Sequence, residues 1–117
     1  MDVLPLDPAS DRPPFEQLRV QIASRAASGD LPAGTRLPTV RALAAELHLA
    51  VNTVARAYRE LEADGVVVTE GRRGTFIALT ASADSSEAAA AAAAYAALAR
   101  RLGLGLTEAT QLVERAW

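Results

Sequence analysis

Apolar residues recur every three or four positions in the first part of the chain, which is the spacing of amphipathic helices. The first helix is predicted to begin at Pro14, because proline suits a first helical turn. Its apolar side is formed by Phe15, Leu18, Ile22 and Ala26. Ser28-Gly29-Asp30 predicts its end, since glycine adopts the left-handed conformation that closes many helices.

Two further helices are predicted between residues 39 and 63. Thr39 is expected to cap the second, because its hydroxyl can accept a hydrogen bond from a free N–H of the first turn. The apolar side of this helix is Val40, Leu43, Ala44 and Leu47. After a turn over residues 48–51, the third helix is predicted to run from an N-cap at Asn52 to about Ala63. Its apolar side is Val54, Ala57, Tyr58 and Leu61.

A β-hairpin is predicted directly after these helices. Residues 66–69 are rich in valine, residues 75–79 form a second apolar run, and the glycine-bounded stretch 70–74 joins them in a tight turn. Three helices, a short turn between the second and third, and a following hairpin are typical of a winged helix-turn-helix. We therefore predict this domain for residues 1–80.

The composition changes after the hairpin. Residues 80–86 are small and polar, and Asp84 and Glu87 have the spacing of a capping box. Seven alanines follow, which favour a helix strongly. Glycines at 103 and 105 end it, and Thr107 is expected to cap a last helix. The predicted fold is mainly α with a small β-hairpin, in which residues 81–117 form a linker and a two-helix tail.

An isolated two-helix tail has too little surface to bury its own apolar residues. A second copy of the same chain, related by twofold symmetry, is the simplest partner. We therefore predict a homodimer that forms through the tail. The expected contact residues are Tyr95, Leu98, Leu102, Leu112, Val113 and Trp117.

Composition limits the chemistry available to the chain. There is no cysteine, so disulfides and thiolate metal sites are excluded, and the one histidine, His48, cannot build a metal cluster or a catalytic triad alone. No lysine occurs, which excludes an internal Schiff base. No enzyme, metal or cofactor is predicted. The acidic N-terminus broken by proline, and the lack of a long apolar run, predict a soluble cytoplasmic protein without a membrane span.

The third helix carries a polar side opposite its apolar one. At 100° per residue, Asn52, Arg56 and Arg59 fall away from Val54 and Tyr58. In a major groove, asparagine can bind adenine and arginine can bind guanine. Asn52 and Arg56 are predicted to read bases, and Arg59 to contact a phosphate. Alternatively this is a solvated face on which the arginines pair with Glu60 or Glu62.

Further arginines lie on elements that a winged helix presents to DNA. Arg72 and Arg73 occupy the tip of the hairpin, where they could contact the DNA backbone or the minor groove, or be ordinary surface charges. Arg36 and Arg41 flank the start of the second helix, whose N-terminus favours an anion. A net charge of −2 argues against indiscriminate binding to nucleic acid, but it is compatible with a local arginine patch.

The run GDLPAGTRLPTVRALAAELHLAVNTVARAYRELEADGVVVTEGRRGTFIA closely resembles the DNA-binding domain of GntR-type bacterial transcriptional regulators. The resemblance covers roughly residues 10–79 and includes the motifs LP-x-x-R and NTV-x-R-A-Y-x-E-L and a wing ending in GTF. It implies DNA contacts from Arg41, Asn52, Thr53 and the turn 71–74. Together with the pattern above, the predicted DNA-binding residues are Arg36, Thr39, Arg41, Asn52, Thr53, Arg56, Arg59, Gly71, Arg72, Arg73 and Gly74.

Two features of the resemblance separate this chain from other members. Some carry arginines where this sequence has Val51 and Ala55, so their base contacts do not transfer. The short tail is similar to the YtrA-type subfamily, in which it implies dimerisation. The prediction is a homodimeric, sequence-specific DNA-binding regulator that represses at a palindromic operator, with any small-molecule effector left open. The alternative is a winged-helix protein-interaction module whose arginines only solubilise it.

Overall fold

A computed structural model describes residues 6–82 and 86–117, which belong to two compact units, Met1–Ala83 and Asp84–Trp117. The first contains the helices α1 (Pro14–Ser28), α2 (Val40–Leu47) and α3 (Val51–Ala63), followed by the strands β1 (Val67–Thr69) and β2 (Thr75–Ile77). The second contains the helices α4 (Glu87–Arg101) and α5 (Leu106–Ala116). This order confirms the predicted winged helix-turn-helix with a two-helix tail.

The core of the first unit forms around α3, which contacts α1, α2 and β1. The predicted apolar side of α3 is confirmed, because all four of its residues are buried. Phe15, Val40 and Leu47 are only partly buried at the edge of the core. The largest fully buried side chains are Leu18, Ile22, Leu43, Val54, Leu61 and Ile77.

The ends of α1 and α2 agree with the sequence predictions. Pro14 opens α1, and Gly29 closes it with a φ of 84°. The hydroxyl of Thr39 accepts a hydrogen bond from the Ala42 N–H at 3.1 Å. His48 ends α2 in the left-handed conformation, with a φ of 56°, which is uncommon for a residue with a side chain.

The start of α3 differs from the prediction. The N-cap is Ala50, in an extended conformation and without a side-chain hydrogen bond, and the helix begins at Val51. Asn52 is therefore not a cap. Because His48 reverses the chain sharply, three residues are enough for the turn, and α3 starts earlier than the apolar spacing indicates. The amide of Asn52 is consequently not used for capping.

Two predicted caps in the tail are also wrong. Asp84 lies outside the described residues, but the N-cap of α4 is Ser86, whose hydroxyl accepts from the Ala89 N–H, so Glu87 is the first residue of α4. The N-cap of α5 is Gly105, and Thr107 lies inside that helix. In each case several neighbouring residues could cap, and helical periodicity fixes a helix end only to within a residue or two.

The wing contains a segment that the sequence did not reveal. The two strands pair as predicted, although both are shorter than expected, and a single 3₁₀ turn, Gly71–Arg73, forms the tip. Residues 34–37 add to the outer edge of β2. The Ile77 N–H donates to Thr35 O at 2.9 Å, and the Leu37 N–H donates to Thr75 O at 2.8 Å. The chain that enters α2 is therefore hydrogen-bonded to the wing.

In the second unit, a hydrogen bond joins α4 to α5. Ala99 and Ala109 are buried, and the Tyr95 hydroxyl donates a hydrogen bond to the Ala109 carbonyl at 2.8 Å. The tail helices thus have an intrachain partner in each other. Most of their large apolar side chains are still exposed, namely Leu98, Leu102, Leu106, Leu112, Val113 and Trp117. Within the described residues, the helices are all too short or too polar to cross a membrane.

Tyr58 joins α3 to the segment before α2. Its side chain is 7% exposed, and its hydroxyl donates a hydrogen bond to the Pro38 carbonyl at 2.7 Å. Burial disfavours the charged phenolate and raises the pKa of Tyr58 well above its usual range. Tyr58 is therefore neutral in the folded protein at pH values where a tyrosine in water ionises.

We expect the free energy of unfolding to fall as the pH rises above about 10, because the unfolded chain then loses the Tyr58 proton while the folded chain keeps it. The slope should approach about 1.4 kcal/mol per pH unit. The chain has no lysine or cysteine to obscure this range. Urea unfolding followed by circular dichroism at several alkaline pH values measures it.

Tyr58→Phe is the control for this dependence. It should lower stability at neutral pH by about 0.5–1.5 kcal/mol, since the hydrogen bond to Pro38 is lost, and it should flatten the alkaline slope. An equally steep slope in Tyr58→Phe would contradict the assignment to Tyr58.

Candidate nucleic-acid interface

The side of α3 that faces away from the core exposes Val51, Asn52 and Arg59, with Ala55 half-buried between them. In the described part of the chain, neither Asn52 nor Arg59 has a hydrogen-bond or ion-pair partner. Thr53, also predicted to contact DNA, is half-buried at the edge of this face. The amide and the guanidinium are thus available to an external partner.

Arg56 is held by residues of its own chain. Its guanidinium carbon lies 3.7 Å from the centre of the Phe15 ring in α1, and its Nε lies 4.0 Å from Glu60 Oε2. The pKa of Glu16 in α1 is lowered, mainly by a hydrogen bond from Arg19 and to a lesser extent by charges that include Arg56. Arg56 therefore lies on the α1 side of α3, and base reading by it would require the side chain to leave these contacts.

Two predicted DNA-binding side chains lie at the start of α2, and within the described ranges only one of them already has a hydrogen-bond partner. The Thr39 hydroxyl already accepts the capping hydrogen bond from Ala42. Arg41, the second residue of α2, is exposed and makes no ion pair with any residue that the structure describes. The Thr39 hydroxyl is therefore already used as the N-cap of α2, whereas the Arg41 side chain can reach a phosphate directly.

The two arginines at the wing tip are not equivalent. Arg73 forms an ion pair with Glu70 at 3.1 Å, and its guanidinium lies 5.9 Å from the centre of the Phe76 ring. Arg72 is exposed and has no such pair among residues 6–82 and 86–117. Arg72 is therefore the one of the two that can contact an external partner without giving up an ion pair.

Arg36 packs against the wing. A Cβ atom placed on Gly74 would lie 2.9 Å from Arg36 Nε, and Gly74 has a φ of 116°, so only glycine fits there. The Arg36 side chain therefore covers the base of the tip that carries Arg72 and Arg73. The sequence had predicted Arg36 as a DNA-binding cation near the start of α2, and its packing against the wing was not predicted.

Sequence reasoning missed the role of Phe15, which was assigned to the core but lies under the Arg56 guanidinium. The approach of Arg56 to Glu60 agrees with the alternative in which the α3 arginines pair with Glu60 or Glu62. The i,i+4 spacing of Arg56 and Glu60 was a visible signal, whereas the approach of Phe15 depends on how α1 crosses α3. Within the described ranges, no group of three or more histidine, aspartate or glutamate side chains could hold a metal ion.

We expect Arg56→Ala to lower the free energy of unfolding by about 0.5–1 kcal/mol, because it removes the cation–π contact with Phe15, and to leave base preference unchanged. Thermal melts and binding to a panel of single-base DNA variants measure the two effects. Arg59→Ala is the matched control, since Arg59 is on the same helix without these contacts; it should weaken DNA binding and leave stability unchanged.

The opposite result would assign Arg56 to base reading. In that case Arg56→Ala would keep its stability but relax the preference at one base pair in each half-site, at a cost of about 1–3 kcal/mol in specific binding.

Comparisons with known proteins identify the family and agree with the winged-helix fold. The model of bacterial regulatory proteins of the gntR family matches residues 14–77. The chain is 51% identical over 108 residues to the HTH-type transcriptional regulator Rv1152 of Mycobacterium tuberculosis, covering 92% of this chain and 88% of that protein. It is 38% identical over 76 residues to the HTH-type transcriptional repressor YtrA of Bacillus subtilis, covering 65% and 58% respectively.

A solved structure of AraR(DBD) in complex with operator ORX1 is also similar. The TM-score is 0.56 at 25% identity, and the match covers 67% of this chain and 96% of that one. The matched family segment exceeds half of the chain, and the similarity to Rv1152 extends over most of the tail. The chain belongs to the GntR family of bacterial regulatory proteins.

Proposed function

We propose that the protein is a homodimeric repressor that binds a palindromic operator. The family consists of transcriptional regulators rather than enzymes, and the chain carries its DNA-binding domain. The observation that supports the finer proposal is a set of donors, on three elements of the winged helix, that have no partner among the residues the structure describes. These donors are Arg41 on α2, Asn52 and Arg59 on α3, and Arg72 on the wing.

Each free donor fits a different part of a duplex. With α3 in the major groove, the Asn52 amide near the helix N-terminus can pair with the edge of an adenine. Arg59, two turns further along, and Arg41 are suited to phosphates, which fix orientation without reading sequence. Arg72 can reach the backbone or the minor groove beside the wing. We place this activity in the cytoplasm, where bacterial DNA lies.

The tail supports the dimer. Leu102 is 67% exposed and Trp117 fully exposed, and Leu98, Leu112 and Val113 are each more than two-fifths exposed. Tyr95 is half-buried, and its hydroxyl is used within the tail, so only its ring can contribute. A second tail would cover these apolar side chains. Twofold symmetry would then present two α3 helices to half-sites about one helical turn apart, or a multiple of it.

Repression is supported by the name of the Bacillus subtilis relative YtrA. Selection of binding sites from random duplexes by the full-length protein tests the operator and its symmetry together. We expect a palindrome and affinity that falls steeply with salt. A protein that binds no sequence preferentially, and only weakly at physiological salt, would instead be a winged-helix protein-interaction module.

We expect Arg72→Ala with Arg73→Ala to lower affinity for every DNA sequence and to reduce the slope of log affinity against log salt by up to about two per protomer. The wing tip is exposed, so replacing these two arginine side chains should leave folding intact. Fluorescence anisotropy at several salt concentrations measures the slope. Arg100→Ala with Arg101→Ala removes the same charge from α4 and should leave the slope unchanged.

If the slope stayed the same in the wing variant, the wing would not reach the duplex. Separate single variants distinguish the two side chains. Arg72→Ala should account for most of the change, because Arg73 is already paired with Glu70.

A protein ending at Thr80 should fold but fail to dimerise tightly. The buried core residues of the first unit all precede this point, and the exposed apolar residues of the tail follow it. Affinity for the full palindrome should fall by about 10²-fold or more, since the second half-site no longer benefits from a high effective concentration. Affinity for one half-site should change little. Sedimentation of both proteins is the measurement, and a truncated protein that remained a tight dimer would place the interface in the winged helix.

A further inference from the structure

A large apolar side chain stands at the start of the exposed face of α3. Val51 is the first residue of the helix and is 45% exposed, whereas Val54, one turn later on the core side, is fully buried. Ala55 lies four residues after Val51 and so on the same stripe of the helix. Val51 and Ala55 together form a small apolar strip, which we call the Val51–Ala55 strip.

Polar donors border this strip. Asn52 follows Val51 directly, and Arg59 continues the line of Val51 and Ala55 by one further turn. Neither donor has a partner within the described residues. The strip is thus an apolar contact placed inside a surface that otherwise suits hydrogen-bond acceptors and phosphates, which is the chemistry of a major groove.

Local structure gives no reason for valine at this position. Valine is a poorer helix former than alanine, and the first helical position favours proline. The half-exposed valine also adds apolar surface in contact with water. Its placement is accounted for if it is covered when the protein is bound.

The major groove offers one apolar group at its base edges, the C5-methyl of thymine. The N-terminal residues of a recognition helix approach base edges most closely. We propose that the Val51–Ala55 strip contacts a thymine methyl in each half-site and makes that thymine a determinant of specificity. This inference rests on the proposed DNA-binding function and adds to it the base, and the group on that base, that is recognised.

The test replaces thymine by deoxyuridine, one position at a time, in an operator selected by the full-length protein. This change removes the methyl and keeps every hydrogen-bonding group. We expect one thymine position in each half-site to be sensitive. Substitution at that position in one half-site should lower affinity about fourfold, and substitution in both half-sites about fifteenfold. Affinity for the unmodified operator relative to scrambled DNA is measured alongside and reports on the proposed function separately.

A protein variant assigns the effect to the strip. In Val51→Ala the loss on uracil substitution at that position should shrink to about twofold or less, because two methyl groups no longer reach the thymine. Val68→Ala is the matched control, since Val68 is 41% exposed and lies on β1 rather than α3. It should retain the full uracil effect.

Two results would overturn the proposal while leaving sequence-specific binding established. One is an operator in which uracil substitution lowers affinity at no position. The other is a uracil effect of the same size in Val51→Ala as in the unaltered protein, which would assign the methyl contact to another residue.

Discussion

The arrangement of the first unit depends on the burial of one side of α3. Val54, Ala57, Tyr58 and Leu61 are packed against α1, α2 and β1, and the Tyr58 hydroxyl binds the Pro38 carbonyl before α2. This packing fixes the rotation of α3 about its own axis. The residues left on the outside, including Asn52 and Arg59, are therefore set by the core rather than by any preference of their own.

Contacts within the chain divide the six arginines that were predicted to contact DNA into two groups. Arg56 lies over Phe15, Arg73 pairs with Glu70, and Arg36 packs on Gly74. Arg41, Arg59 and Arg72 have no such contacts in the described residues. In the first group, Arg56 links α3 to α1, while Arg36 and Arg73 lie against the wing; the second group can neutralise phosphates. A chain with a net charge of −2 can thereby present a local cationic surface.

The two tail helices are held together differently from the helices of the first unit. Ala99 of α4 and Ala109 of α5 are buried, and a hydrogen bond from the Tyr95 hydroxyl to the Ala109 carbonyl joins the two helices. Alanine buries little apolar area, so this contact contributes little hydrophobic stabilisation. The larger apolar side chains remain outside, on a unit too small to cover them. That imbalance is the physical basis for a second copy as partner.

The sequence by itself determined the three helices, the hairpin and the buried side of α3, because periodic apolar residues must face a core. It also determined the Thr39 cap and the family. It did not determine that three of the helices start at Val51, Glu87 and Leu106, because several neighbouring residues could serve as the N-cap of each helix. Only the tertiary structure decided that Arg56 turns to Phe15 and that residues 34–37 join the wing. Those contacts link residues that are distant along the chain, and their geometry depends on how α1 crosses α3 and where the chain passes the hairpin.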